Sequence, residues 1–193
     1  MKKKEILIIV AHPDDETIWV GGTLLIAKSN KTIISLCRKK DKDRAPKFKK
    51  ACKVLNAKSY ISDLDDAEEG YYKKISSNDI IKRILKITKN KKYDYVFTHG
   101  NNGEYGHIRH IEVHNAVMEM LRKKFLSAKK TFFFAYIRKG KLCYIASNAD
   151  KLIRLKQPYF KMKKQLIQDI YNFEKNSFEN KCCRNVEAFN VKK

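Results

Sequence analysis

Glu5-Ile-Leu-Ile-Ile-Val-Ala-His-Pro-Asp-Asp-Glu16 decides the fold of this chain. Residues 5–10 form an apolar, β-branched run without the alternation of a strand that faces water on one side. Such a run reads as a strand buried on both faces. Polar residues follow at once, and residues 17–29 continue at helical spacing around an early Gly21-Gly22. Residues 32–37, Thr-Ile-Ile-Ser-Leu-Cys, repeat the strand pattern. Strand, helix and strand make a β-α-β unit whose crossover is right-handed.

The same alternation continues outward. Pro46 falls in the first turn of a helix in which Phe48, Ala51, Cys52 and Leu55 recur at helical spacing up to Asn56. Residues 59–61 read as a short strand, 63–72 as an acidic loop, 79–87 as a helix and 93–98 as another buried strand. A glycine-rich loop, His99 to Gly106, leads into a helix from about His107 to Phe125. Residues 131–137 and 141–146 read as two strands joined at Lys139-Gly140 as a hairpin. A helix from about Tyr159 to Phe173 follows, and the polar tail from about 176 is expected to be loosely held. The pattern predicts an α/β fold, a mainly parallel sheet with helices on both faces. With 193 residues and neither repeat nor linker, one domain over 1–193 is expected.

Composition excludes several classes. Apolar residues make up 43% of the chain, so it is not a disordered polymer. No stretch approaches the roughly 20 apolar residues of a transmembrane segment. The basic start precedes an apolar run too short for a signal peptide. The five cysteines are odd in number and form no CxxC, which reads as reduced thiols in a cytoplasmic protein. The formal charge of +22 admits a polyanion partner. The lysines are spread along the whole chain, however, and no nucleic-acid motif gathers them, so no specific nucleic acid is expected. The sequence does not specify an oligomeric state.

Two polar segments sit directly after buried strands, where open α/β sheets bind ligands. The first packs His12, Asp14, Asp15 and Glu16 into one strand-to-helix turn. So many carboxylates repel unless a cation or a helix N-terminus offsets them; a plain acidic helix start is the bland alternative. The second is Gly106-His-Ile-Arg-His-Ile-Glu-Val-His114, in which His107, His110 and His114 share one helix face. Four of the five histidines lie between 99 and 114, and the fifth is His12. Together the segments offer His, Asp and His with one open metal position, the pattern of a catalytic rather than a structural zinc. Such a metal gives a nucleophilic water at neutral pH. Asp14 is a spare carboxylate for its proton, and His107 and Tyr105 are spare donors for an oxyanion.

Ala11-His-Pro-Asp-Asp-Glu16 after the first strand, with Gly103-Glu-Tyr-Gly-His-Ile-Arg-His110 later, resembles the PIG-L/LmbE-like zinc-dependent de-N-acetylase family. The resemblance extends more weakly to residues 44–55 and 161–171. It implies a Rossmann-like fold and a hydrolase that removes the N-acetyl group from an N-acetylglucosamine-type conjugate, releasing acetate. It implies His12, Asp15 and His110 as Zn²⁺ ligands, Asp14 as general base and His107 as the charged stabiliser of the oxyanion. It also places Tyr105 near the substrate carbonyl and Arg44 on the sugar or its aglycone. Fe²⁺ suits the same N/O ligands. Arg44, with Lys47 one turn on, makes an anionic conjugate a reasonable substrate. No role is assigned to His99, and His114 is read as a partly exposed helix residue. Two rival functions are a zinc amidase acting on a non-sugar amide, and a basic nucleic-acid-binding protein with a vestigial site.

Overall fold

The computed structural model describes residues 2–66, 73–88 and 92–192. Five strands run parallel in spatial order β3 (Ala57–Leu64), β2 (Asn30–Cys37), β1 (Glu5–Val10), β4 (Lys92–Thr98) and β5 (Ser127–Phe134). Two more strands extend this sheet beyond β5 through antiparallel pairings: β9 (Val186–Lys192), which runs against β5, then β8 (Lys151–Arg154), which runs against β9. The fold is α/β, as the alternation predicts, and Rossmann-like, as the family resemblance implies.

β1 shows why the opening run is continuously apolar. Ile6, Ile8 and Val10 enter one core, while Leu7, Ile9 and Ala11 enter the other. A strand's side chains alternate between faces, so burial on both sides demands apolar residues at every position. The first core also holds Trp19 and Leu24 of α1 (Asp15–Ile26) and Phe48 and Ala51 of α2 (Arg44–Val54). The second holds Ile80 and Ile84 of α3 (Ser77–Thr88), with Val113 and Val117 of α5 (Ile108–Arg122), which follows the short α4 (Gly103–Gly106). Helices therefore cover both faces of the sheet. Each fully buried aliphatic side chain contributes roughly 1.5–3 kcal/mol, so β1 alone anchors much of both layers.

The strand order reverses between β1 and β4: β1 leads on to β2 on one side, while β4 returns beside β1 on the other. The carboxyl ends of these two neighbours form the switch point at which such sheets bind ligands. Ile9 pairs with Thr98, and the next residues on each chain are the two polar segments.

Several boundaries differ from the sequence expectation. The 131–137 run is split: Ser127–Phe134 joins the main sheet, and after Ala135 the chain turns into β6 (Tyr136–Lys139), which pairs with β7 (Leu142–Ile145). The hairpin tip is at Lys139-Gly140 as expected, with Gly140 at φ 59°. β3 is longer than the expected 59–61; the expected acidic loop begins within it, and residues 67–72 of that loop lie outside the described residues. The helix expected to run to Phe173 is α6 (Gln157–Gln165), followed by a π-helical turn, Leu166–Ile170.

The expected loose tail is instead part of the body of the protein. It carries α7 (Phe178–Cys182) and β9, with Ala188 and Phe189 fully buried. Its polar composition hid the strand because Glu187 is itself buried. That carboxylate pairs with Lys163 at 2.7 Å and accepts hydrogen bonds from Gly22 N, Thr23 N and Thr23 Oγ1. Gly22 lets the helix approach closely there, since a Cβ would stand 2.2 Å from Leu155 Cδ1 and that side chain would have to move.

Candidate metal and catalytic site

The loop after β1 is held in an unusual backbone shape. Asp14 has φ 115°, a region that costs a non-glycine residue roughly 1–3 kcal/mol. Its carbonyl accepts the first helical bonds, from Thr17 N and Ile18 N. Its side chain does not cap the helix. The carboxylate instead accepts a hydrogen bond from Arg44 Nη1 at 2.9 Å, so the bland reading of an acidic helix cap fails for Asp14. Glu16 holds the strained residue from the other side, accepting Asp14 N at 3.0 Å. Glu16 is fully buried, bonded by Thr17 Oγ1 and Tyr171 Oη, and burial raises its carboxyl to about 7.

The loop after β4 folds back through another strained residue, Glu104, at φ 57°. Gly103, at φ 63°, makes the turn where a Cβ would stand 2.9 Å from Ile111 Cγ1. The fully buried Glu104 carboxylate accepts Gly100 N at 2.7 Å and both His99 Nδ1 and His110 Nδ1, at 2.8 and 2.5 Å. Burial opposes ionisation, but the adjacent histidines hold its carboxyl down at about 2. His99 Nε2 accepts Ala11 N at 2.9 Å, which ties the two loops together. His114 is half-buried and donates from Nδ1 to His99 O at 2.9 Å.

These anchors bring three atoms to one point. His12 Nδ1 is 3.1 Å from His110 Nε2 and 3.3 Å from Asp15 Oδ2, and His110 Nε2 is 3.4 Å from Asp15 Oδ2. Donating from Nδ1 to Glu104 leaves His110 Nε2 with a lone pair. With both imidazoles neutral in this sense the three atoms are acceptors turned to one point, and either a proton shared between His12 Nδ1 and His110 Nε2 or a cation in its place satisfies them. Tetrahedral ligands on a zinc at about 2.0–2.1 Å lie roughly 3.3 Å apart, so this donor set fits a divalent metal. Without one, burial disfavours a charged His110, yet Asp15 and Glu104 raise it to about 10. Asp15 is set by Trp19 Nε1, which donates to its Oδ1 at 2.9 Å, and by His12 N on Oδ2. Burial works against ionisation of Asp15, but His110 and His99 hold it well below the usual carboxylate range. Alternative ligand sets overlap this one: Asp15, His99 and His110, or His12, His107 and His110, also bring donor atoms within 4.8 Å of one another. His99 Nε2 is already committed to Ala11 N, which leaves it the poorer ligand.

The other expected residues line a cavity of about 130 Å³ beside the cluster. His12, Asp14, Asp15, Arg44, Tyr105 and His107 all border it. That is below the roughly 300–1,000 Å³ of sites that enclose a whole ligand, so it admits the reacting end of a substrate. Burial raises Asp14 well above the usual range, as does Asp15, while Arg44 pulls the other way. His107, expected as the charged stabiliser, lies at the start of α5 with its ring half-buried beside His12 and His110. Its Nδ1 accepts Arg109 N at the start of α5, and burial beside His110 and His12 lowers it to about 3. An Nδ1 that accepts leaves Nε2 as the ring nitrogen that carries a proton. Tyr105 meets His107 and His110 edge-on, and burial raises its hydroxyl far above its usual range. The Arg44 guanidinium stacks over Phe173 at 4.4 Å, so most of its reach is spent within the protein.

Sequence reasoning missed Trp19, Glu104, Tyr171, Arg38 and the rim residues Phe178 and Glu179, which also border or brace the cavity. Phe178 and Glu179 come from the segment expected to be loose.

A family model described as PIG-L, GlcNAc-PI de-N-acetylase, matches residues 7–121, more than half of the chain. No curated protein matches the chain significantly.

Proposed function

The chain belongs to the PIG-L family, described as GlcNAc-PI de-N-acetylase, and from that premise we propose that it is a zinc-dependent hydrolase that removes the N-acetyl group from an N-acetylglucosamine-type conjugate. The family consists of deacetylases that are typically metal-dependent and act on N-acetylated sugars. The observation that carries the reading is the convergence of His12 Nδ1, Asp15 Oδ2 and His110 Nε2 beside Asp14.

In this reading His12, Asp15 and His110 hold the metal, with Zn²⁺ the first choice and Fe²⁺ compatible with the same ligands. When bound, the cation supplies an activated water and polarises the acetamide carbonyl. Asp14 accepts the proton of the attacking water on its carboxylate and returns it to the leaving nitrogen, so that acetate and a free amine result. Arg44 fixes that carboxylate. His107 donates from Nε2–H, and Tyr105 from its hydroxyl, to the oxygen that gains charge as the carbonyl becomes tetrahedral. Phe178 and Glu179 lie outside the matched segment and border the cavity, which suits them to read the rest of the conjugate. The five free cysteines, all buried, suit a reducing, cytoplasmic setting. Among the described residues, no helix is long and apolar enough to cross a membrane.

The test is acetate release from a panel of N-acetylglucosamine conjugates and non-sugar acetamides, with metal content measured on the same samples. Release from a sugar conjugate that is lost on chelation and restored by Zn²⁺ is expected. Turnover confined to non-sugar amides would reassign the substrate. Salt-sensitive DNA binding with no metal-dependent turnover would replace the reading.

A further inference from the structure

His12 directs only one ring nitrogen toward Asp15 and His110. The other, Nε2, lies 2.5 Å from Asp66 Oδ1, just beyond the end of β3. Both atoms are buried, and neither makes a hydrogen bond of good geometry among the described residues, so each is the close polar neighbour that the other has to be satisfied by. Two bare acceptors would repel at that separation, so the contact requires a proton between them. A second metal ion would not satisfy the geometry. Cys37 Sγ is within 4.8 Å of a donor atom of each of the two residues, but 2.5 Å is well short of the roughly 3.3 Å between tetrahedral zinc ligands.

We propose that Asp66 is a positioning residue for His12: its carboxylate accepts the Nε2 proton and holds the ring with Nδ1 turned toward Asp15 and His110. Arg38 braces the carboxylate in turn, donating from Nε to Asp66 Oδ2. Arg38 adopts φ 68° at the end of β2, a conformation uncommon outside glycine. That turn carries its side chain to Asp66, and it borders the same cavity. The relay Arg38–Asp66–His12 mirrors Glu104–His110 on the opposite side of the cluster. Each imidazole thus gives its outward N–H to a carboxylate and its inward lone pair to the centre. Such outer partners fix the tautomer of a ligating histidine. The inference rests on the reading of His12 as a metal ligand.

The test combines Zn²⁺ affinity, by chelator competition on the full chain, with ¹⁵N NMR of the His12 ring in metal-free protein. Asp66→Ala should weaken Zn²⁺ binding by about 10–100-fold and shift His12 from the Nε2–H tautomer toward a mixture. Asp66→Asn retains an acceptor oxygen and should fall between this variant and the unaltered chain, and Arg38→Ala should show a smaller loss. Unchanged affinity and tautomer in Asp66→Ala would overturn the proposal. If that variant does not fold, the same result in both Asp66→Asn and Arg38→Ala overturns it. His12→Ala separates the two ideas. Retained metal in His12→Ala removes the ligand reading itself. Loss there, with full binding in Asp66→Ala, removes only the positioning role.

Discussion

Asp14 Oδ2 accepts a hydrogen bond of 2.9 Å from Arg44 Nη1, joining the strand-to-helix turn after β1 to the first residue of α2. The carboxylate read as the base and the arginine read as a sugar contact are therefore one unit. Asp14→Asn should keep its metal and lose roughly 10²–10⁴ in kcat, the usual contribution of a general base. Arg44→Ala should lower kcat as well as raise KM, because it frees the base from its position. The double variant should be no slower than Asp14→Asn alone, as expected for residues acting through one interaction. Steady-state kinetics on the four proteins decide this; strictly additive losses would show that Arg44 acts on substrate independently of Asp14.

Glu104 is the second carboxylate on which the site depends, although it touches no substrate in this reading. It receives the outer N–H of both His99 and His110. Both imidazoles bond the same oxygen, Oε2, so in Glu104→Gln the carboxamide oxygen can still face them, but its NH2 then meets the Gly100 N–H that Oε1 accepts, and the negative charge is lost. Zn²⁺ affinity should then fall by about 10–100-fold, with far-UV circular dichroism unchanged. Full metal occupancy at limiting Zn²⁺ would show that His110 needs no such partner.

Trp19 makes a parallel case on Asp15. Trp19→Phe keeps most of the ring that packs 4.8 Å from Tyr136 but removes the indole donor to Asp15 Oδ1. Metal affinity should fall, though by less than in Asp15→Ala, where a ligand itself is lost. A loss of thermal stability with metal affinity intact would confine Trp19 to packing.

What the sequence made legible follows a physical divide. Parallel strands are buried on both faces, so β1, β2 and β4 stand out as unbroken apolar runs. The acidic turn and the histidine cluster stand out because such residues rarely crowd together without a cation. Partners that act across long separations leave no local signature. Tyr171 reaches Glu16 across 155 positions, and Glu187 reaches Gly22 across 165. Trp19 reads as an ordinary core aromatic, and Glu104 as one polar residue in a glycine-rich loop. Glu187 misled outright, since a charged residue in a polar segment suggests solvent when its lysine partner lies on a separate element, the helix α6.

That buried pair yields a stability prediction. Lys163 and Glu187 are both fully buried and 2.7 Å apart. Lys163→Met strands a buried carboxylate and should cost about 3–5 kcal/mol, as breaking one side of such a pair does. Lys163→Met with Glu187→Gln should recover part of the loss, because no uncompensated charge remains. Urea unfolding measures both. An unperturbed Lys163→Met would mean that β9 is not held through this contact.

The charge of the substrate is the remaining question, and the partners of the cavity's basic residues sharpen it. Arg44 is paired with Asp14, Arg38 with Asp66, and nearby Lys47 with Asp43. None of these contacts leaves an uncompensated cation in the cavity as a specific anion site. Any advantage of an anionic conjugate should then arise from the field of a chain carrying +22, which speeds encounter rather than fixing one contact. Steering of that kind is screened by salt: the Debye length falls from roughly 30 Å at about 0.01 M to roughly 8 Å at about 0.15 M. The ratio of kcat/KM for an anionic over a neutral N-acetylglucosamine conjugate should exceed one at low salt and decline steeply across that range. Arg44→Ala should reduce both rates together and leave the ratio nearly intact. A ratio that survives high salt but collapses in Arg44→Ala would instead assign the anion to a direct contact with that arginine. A ratio of one at every salt concentration would mean that the lysines only solvate the surface, leaving the deacetylase chemistry without an anionic partner.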